Sequence, residues 1–310
     1  MIKKIYSYIP IFLSMLFWGM SFIWTKELLN NGFTPIIIIT LRLVISSILL
    51  FVIFKSLGKL DKIDRKDYKL FMLLAFFEPF LYFFGENWGL QYLDPSIGSI
   101  IISTIPIFVP FGLYFFHREA LRWQIIIGVI LTIIGLMIIS ISPSAKISVS
   151  GKGIGFMFLA VFSAVGYSVV LHNVIKKYKP ITITTTQNII GSIYYLPFFF
   201  VFEYKKLSTL SFAWHNLYPL LALAILCSSV AFICFSYSAK KLSISKTTVF
   251  TNAVPIVTIL FAVSLGMEYL TLNKFIGIMV VLLGVFLSQI NFKSRFSYES
   301  KGRVSTDKLH

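Results

Sequence analysis

Long apolar runs alternate with short polar gaps along almost the whole chain. A bilayer core of about 30 Å asks for roughly 20 mostly apolar residues per helix. Ten runs meet that length: residues 6–29, 35–54, 70–90, 95–116 and 123–141, then, after a polar stretch at 142–152, residues 153–175, 181–202, 217–239, 245–267 and 272–290. They are much too long for barrel strands, and backbone amides in lipid must find their partners within the segment, so each run predicts a transmembrane helix. The expected fold class is all-α integral membrane. Residues 291–310 are polar and basic with few apolar positions, which predicts a disordered tail able to touch anionic lipid.

Composition agrees. Apolar residues make up 57% of the chain and charged ones 13%, with a mean hydropathy of +0.85, whereas a soluble domain carries about 25% charged residues. The formal net charge of +16 does not point to nucleic acid, because the cations fall in the gaps between apolar runs and form no stripe with interleaved aromatics. With the N-terminus inside, the inner segments hold 21 of the 28 Lys and Arg and the outer connections hold 5; Lys26 and Arg42 lie within spans. Cytoplasmic loops carry that excess, so both termini are expected in the cytoplasm. Lys3 and Lys4 before an apolar stretch imitate a signal peptide, but Trp18 and Trp24 and the lack of a small-residue cleavage site favour a retained first span. Cys227 and Cys234 stand seven apart in one run, about 10 Å along a helix axis and too far to bridge.

An offset of 149 residues aligns 93–139 with 242–288 without a gap. Pro106 matches Pro255, Glu119 matches Glu268, Leu121 matches Leu270, and Gly128 and Gly135 match Gly277 and Gly284. Units of five spans, an odd number, enter the membrane from opposite sides, so residues 1–141 and 153–290 are expected to form inverted repeats joined by 142–152. The glycines, seven apart, predict a small-residue seam for close helix packing.

These residues resemble the drug/metabolite transporter superfamily, in particular its ten-helix EamA-type members. The resemblance rests on Trp18-Gly19 with Ser21 and Lys26, on Leu41-Arg42, and on Pro106, Glu119 and Leu121 echoed by Pro255, Glu268 and Leu270. It implies a central cavity lined by spans one to four and six to nine, with the fifth and tenth peripheral. It also implies export or exchange of amino acids or similar metabolites across a bacterial inner membrane.

Ionisable groups in apolar spans cost roughly 2.5 to 3.5 kcal/mol each and so should face a cavity or a partner. Glu78, Tyr82 and Glu86 are spaced i, i+4, i+8 and on a regular helix share one face. Glu78 is the candidate for a substrate ammonium or a coupling proton, against a carboxyl simply hydrogen-bonded to a neighbouring helix. Arg42 lies at the depth of Glu86, as a structural ion pair, an arginine snorkelling outward or a carboxylate anchor, and its repeat counterpart is Gln187. Trp18, Ser21, Asn87, Ser103, Tyr167, Tyr237 and Asn252 complete the candidate substrate-binding set, although hydroxyls often bond their own backbone and aromatics often mark interfaces. Lys26 is expected to anchor an interface, and Glu119 and Glu268 to cap turns or pair with nearby basic residues.

An intramembrane enzyme would need clustered groups such as H-E-x-x-H or paired aspartates at membrane depth, and a direct ATPase would need a Gly-rich phosphate loop; the sequence carries none of these. No catalytic residue, metal or cofactor is therefore predicted. The expected partners are a small-molecule substrate, the bilayer and a coupling proton, not nucleic acid. The competing readings are an uptake permease for sugars, nucleosides or quaternary amines, and a non-transporting membrane scaffold.

Overall fold

The computed structural model describes residues 8–118, 123–140, 150–269 and 271–289. Those residues are helical with short connections, and no strand occurs among them. In chain order the helices are α1 (Ile9–Asn30), α2 (Pro35–Ser56), α3 (Arg65–Tyr92), α4 (Pro95–His117), α5 (Trp123–Ser140), α6 (Gly151–Lys177), α7 (Pro180–Phe198), α8 (Trp214–Leu242), α9 (Ile244–Ser264) and α10 (Leu272–Gln289). Among the described residues, α1, α2, α3, α4, α6, α8 and α9 are long and apolar enough to cross a membrane, which makes the chain a multi-pass membrane protein. α7 has similar length but carries Thr182, Thr184, Thr185, Gln187 and Asn188, all buried. Its polar groups turn inward, so average hydropathy understates it.

Several expected boundaries shift by a few residues. α7 begins at Pro180, whose missing N–H suits a first helical position, and gives way at its end to a π turn, Phe199–Glu203. α9 stops at Ser264, short of the expected 267, and Gly266 follows with φ +67°, the left-handed conformation that favours glycine. The expected tail, the connection at 141–149 and Glu119 lie outside the described residues.

Four helices expected to be regular are interrupted. α3 opens at Glu78, whose φ −144° and ψ 119° are extended, within a π segment Phe76–Leu81 that contains Pro79. Proline removes an N–H and crowds the preceding turn, so local carbonyls lose helical partners. Other helices add donors around the break: Ser163 Oγ donates to the Phe77 carbonyl at 2.5 Å, which also accepts from the Tyr82 N–H, and Tyr195 OH donates to the Phe80 carbonyl at 2.7 Å. α8 has a π segment at Leu223–Ala231. α4 breaks between Ile102 and Ile105, just before Pro106, and α9 carries a tight 3₁₀ turn at Val249–Asn252, just before Pro255.

The packing partners also fall into matched pairs. α1 packs on α8 and α9, and α6 packs on α3 and α4, while α2 packs on α7. α5 and α10 pack chiefly on each other, through the predicted glycine seam. A Cβ added at Gly135 would meet the Gly277 carbonyl oxygen at 2.8 Å, and one at Gly284 would meet the Gly128 carbonyl oxygen at 2.9 Å.

Candidate functional site

Helices α1 to α4, α6, α8 and α9 enclose a cavity with about 620 Å³ of non-atom space, open solvent included. The broken stretch of α3 supplies Glu78, and the helix that resumes after it supplies Tyr82, Phe83 and Glu86. The regular i, i+4, i+8 register does not hold across the extended Glu78, yet all three expected residues of that helix face the cavity. Trp18 and Ser21 enter from α1, Arg42 from α2 and Tyr167 from α6, so seven of the predicted residues meet here.

Arg42 is 1% exposed. Its Nε donates to Ser228 Oγ at 2.9 Å, and its guanidinium carbon lies 4.1 Å from the Phe83 ring centroid. One terminal nitrogen, Nη1, is enclosed without a hydrogen-bond partner, as is Glu86 Oε2. Among the described residues no ion pair within 4 Å joins Arg42 to Glu86, so the direct contact open to these two groups is absent. Instead the cation stacks on an aromatic face and takes a hydroxyl from the opened part of α8. The surrounding network is tight: Asn188 Nδ2 donates to Ser46 Oγ at 2.8 Å and to the Ser228 carbonyl at 2.7 Å, and Ser46 and Ser229 share a hydroxyl bond of 2.6 Å.

Five predicted residues lie outside the cavity lining. Gln187 stands behind it, its Oε1 accepting from Tyr167 OH at 3.2 Å, so it positions a lining residue. Asn87 donates to the Phe83 carbonyl and Ser103 to the Ile100 carbonyl, each on its own helix. Tyr237 is 42% exposed, beneath Lys241. Asn252 is half-buried at the end of the α9 turn, with Oδ1 enclosed and unpartnered. The lining also includes Phe83, Ser168, Phe232, Phe235 and Thr251, which sequence reasoning missed. Phenylalanine is the commonest aromatic residue here, with 32 in the chain, so nothing local separates a cavity wall from a lipid-facing ring. The spacing of Phe83 to Glu86 and of Phe232 to Phe235, i and i+3, is the one available hint.

Polar clasps tie the helix ends together beyond the cavity. Near the α2–α3 connection, Asp61 pairs with Lys179 at 2.9 Å and accepts from the Lys179 N–H and from Thr182. Burial alone would push the Asp61 carboxyl up, but these donors and the Lys179 charge outweigh it and hold the group below its ordinary value. Asp67 meets Lys177 at 3.0 Å and the Tyr178 hydroxyl at 2.7 Å. At the other membrane face, Asn31 Nδ2 donates to Asn216 Oδ1 at 2.7 Å. There too Glu268 accepts from the Ser96 N–H at 2.9 Å, capping α4, and Lys274 pairs with Asp94 at 2.8 Å. Glu268 thus caps a helix of the other half instead of its own turn, and Lys274 Nζ stands 3.8 Å from its other carboxylate oxygen, the basic neighbour expected as the alternative. Lys26 donates to the Leu90 and Leu93 carbonyls at the end of α3.

The EamA-like transporter pattern matches residues 5–141 and, a second time, 151–290. The chain belongs to the EamA-like transporter family. It is 29% identical over 281 residues to an uncharacterized transporter of Archaeoglobus fulgidus, covering 91% of this chain and 98% of that one. It is 21% identical to the uncharacterized transporter YetK of Bacillus subtilis, covering 96% and 90%. A WAT1-related chloroplast protein of Arabidopsis thaliana is 27% identical, covering 89% of this chain and 67% of that one. One solved crystal structure superposes with a TM-score of 0.66 at 14% identity, covering 91% of this chain and 97% of the other, a likeness of fold. This EamA-like chain is a membrane transporter and not an enzyme, and its partners are a small-molecule substrate and the lipid bilayer.

Proposed function

We propose that the chain is a secondary transporter of ten membrane helices in two inverted five-helix units, exporting amino acids, amines or related small polar metabolites by alternating access. The inverted arrangement is supported by the two successive family matches, by paired helix breaks before Pro106 and Pro255, and by the matched packing of α1 on α8 and α9 with α6 on α3 and α4. Two units that can exchange conformations give inward-open and outward-open states of similar energy. The excess of Lys and Arg in alternate connections supports cytoplasmic termini, and a bacterial inner membrane is what the family resemblance implies.

The observation that carries the substrate reading is the convergence of two carboxyls, Glu78 and Glu86, and one guanidinium, Arg42, on a cavity walled by Trp18, Phe83, Phe232 and Phe235. Buried acids suit an ammonium group or a coupling proton, the guanidinium suits a carboxylate, and the rings suit an apolar side chain. In this reading Trp18, Ser21, Arg42, Glu78, Tyr82, Glu86 and Tyr167 bind substrate, with Gln187 behind Tyr167.

The test begins with a thermal-shift screen against amino acids, amines and nucleosides, followed by flux of any hit into proteoliposomes. Glu78→Gln is expected to abolish proton-coupled flux while leaving insertion and the melting curve intact. Normal transport by this variant at every pH would remove Glu78 from the mechanism.

A further inference from the structure

A second pocket lies away from the cavity, where the ends of α6 and α8 meet the start of α9. It is lined by His172, Lys176, Lys240, Lys241, Ser243 and Ser245, among others, and holds about 940 Å³ of non-atom space, open solvent included. Among the described residues no carboxylate lines it. The three lysines are exposed, and Lys176 Nζ lies 2.8 Å from His172 Nε2, whose ring stacks on His117 at 4.3 Å. At its lip Ser243, the single residue linking α8 to α9, adopts φ +89° and ψ 153°, a conformation that non-glycine residues seldom hold.

The repeat register gives this pocket a built-in comparison. Asp94 corresponds to Ser243, Glu268 to Glu119 and Lys274 to Ile125. At the Asp94 end of the molecule the charges are balanced, with Lys274 paired to Asp94 and near Glu268. At the Ser243 end the first acid is a serine, and Lys176, Lys240 and Lys241 line the pocket. Lys177 and Lys179 lie at the same face but are each paired with an aspartate, Asp67 and Asp61, so the positive excess there is that of the pocket lysines. Phe115 and Phe116, each 74% exposed, precede His117 on α4 and would meet acyl chains beside such a site.

We propose that this pocket binds a phosphate-bearing anion, with Lys176 and Lys241 supplying the charge and the Ser243 hydroxyl a hydrogen bond. Basic pockets between membrane helices take lipid headgroups by this chemistry, and a soluble phosphate presents the same group. Purified protein is tested by native mass spectrometry with phosphatidylglycerol and with phosphatidylcholine, and by thermal shift with inorganic phosphate. Two variants remove the site, Lys176→Gln with Lys241→Gln, and Ser243→Asp, which restores the acid of the opposite end. Lys205→Gln with Lys206→Gln is the charge control. Selective retention of phosphatidylglycerol, weakened about tenfold or more by either site variant and unchanged by the control, supports the site with lipid as its source. A phosphate-dependent shift lost in the same variants supports it with a soluble source. Equal binding of phosphatidylcholine, or wild-type behaviour of both site variants toward both ligands, overturns it; Ser243→Asp alone decides if the double lysine variant does not fold.

Discussion

Arg42 stacks its guanidinium carbon 4.1 Å above the centroid of the Phe83 ring while its Nε donates to Ser228. One helix thus offers a cation, a second an aromatic face and a third a hydroxyl, and Nη1 is left enclosed without a partner. A buried donor without an acceptor loses its hydration for nothing unless a ligand completes it.

Arg42→Lys keeps the charge but loses the planar stack and the fixed fork of donors. Flux of a carboxylate-bearing substrate should fall about tenfold or more, since a planar cation–π contact and a charge-assisted hydrogen bond each contribute about 1 to 2 kcal/mol when desolvated. Wild-type flux in this variant, measured in proteoliposomes, would reduce Arg42 to a packing residue.

The α5–α10 seam predicts a stability effect separable from transport. A Cβ at Gly135 would stand 2.6 Å from Val281 Cγ2 and 2.8 Å from the Gly277 carbonyl oxygen, so backbone must move to admit it. Gly135→Ala should destabilise by about 1 to 3 kcal/mol, the usual range for overpacking. Thermal unfolding in detergent reads this, and substrate affinity of the folded fraction should be unchanged because neither helix lines the cavity.

The Asp61–Lys179 clasp sets a pH dependence. A carboxyl held below its unfolded value, about 3.9, contributes stability that is fully present above that value and is lost as pH falls through the lower folded one. Protection factors of residues 57–67, hydrogen exchange corrected for its intrinsic pH dependence, should therefore be constant through neutral pH and fall under strong acid. Asp61→Asn should give fast exchange already at pH 7 and flatten the acid response; slow exchange in that variant would show the segment is held by other contacts.

Much of the architecture was legible because lipid is an undemanding reader of pattern. Membrane-length apolar runs fix where helices start and stop to within a few residues, and Gly128, Gly135, Gly277 and Gly284 announce close packing since only a bare backbone allows it. The site was legible where charge is expensive: Arg42, Glu78 and Glu86 in apolar spans had to face a cavity or a partner. It was not legible where residues are cheap. Asn87 and Ser103 can satisfy themselves on their own helices, and do, whereas Phe83 and Phe232 look like any lipid-facing ring until a neighbour defines their surroundings.

Sequence alone determined that this protein crosses the membrane many times and which ionisable groups it carries inside, because transfer of a segment into hydrocarbon depends on that segment's own composition. Only the tertiary structure decided that α3 opens at Glu78, that Ser163 and Tyr195 donate to the Phe77 and Phe80 carbonyls beside the break, and that Arg42 rests on Phe83 beside Ser228 instead of against Glu86. Those outcomes depend on which helices lie side by side, and a hydrogen bond or a ring face offered from some 90 to 190 positions away in the chain leaves no trace in local pattern.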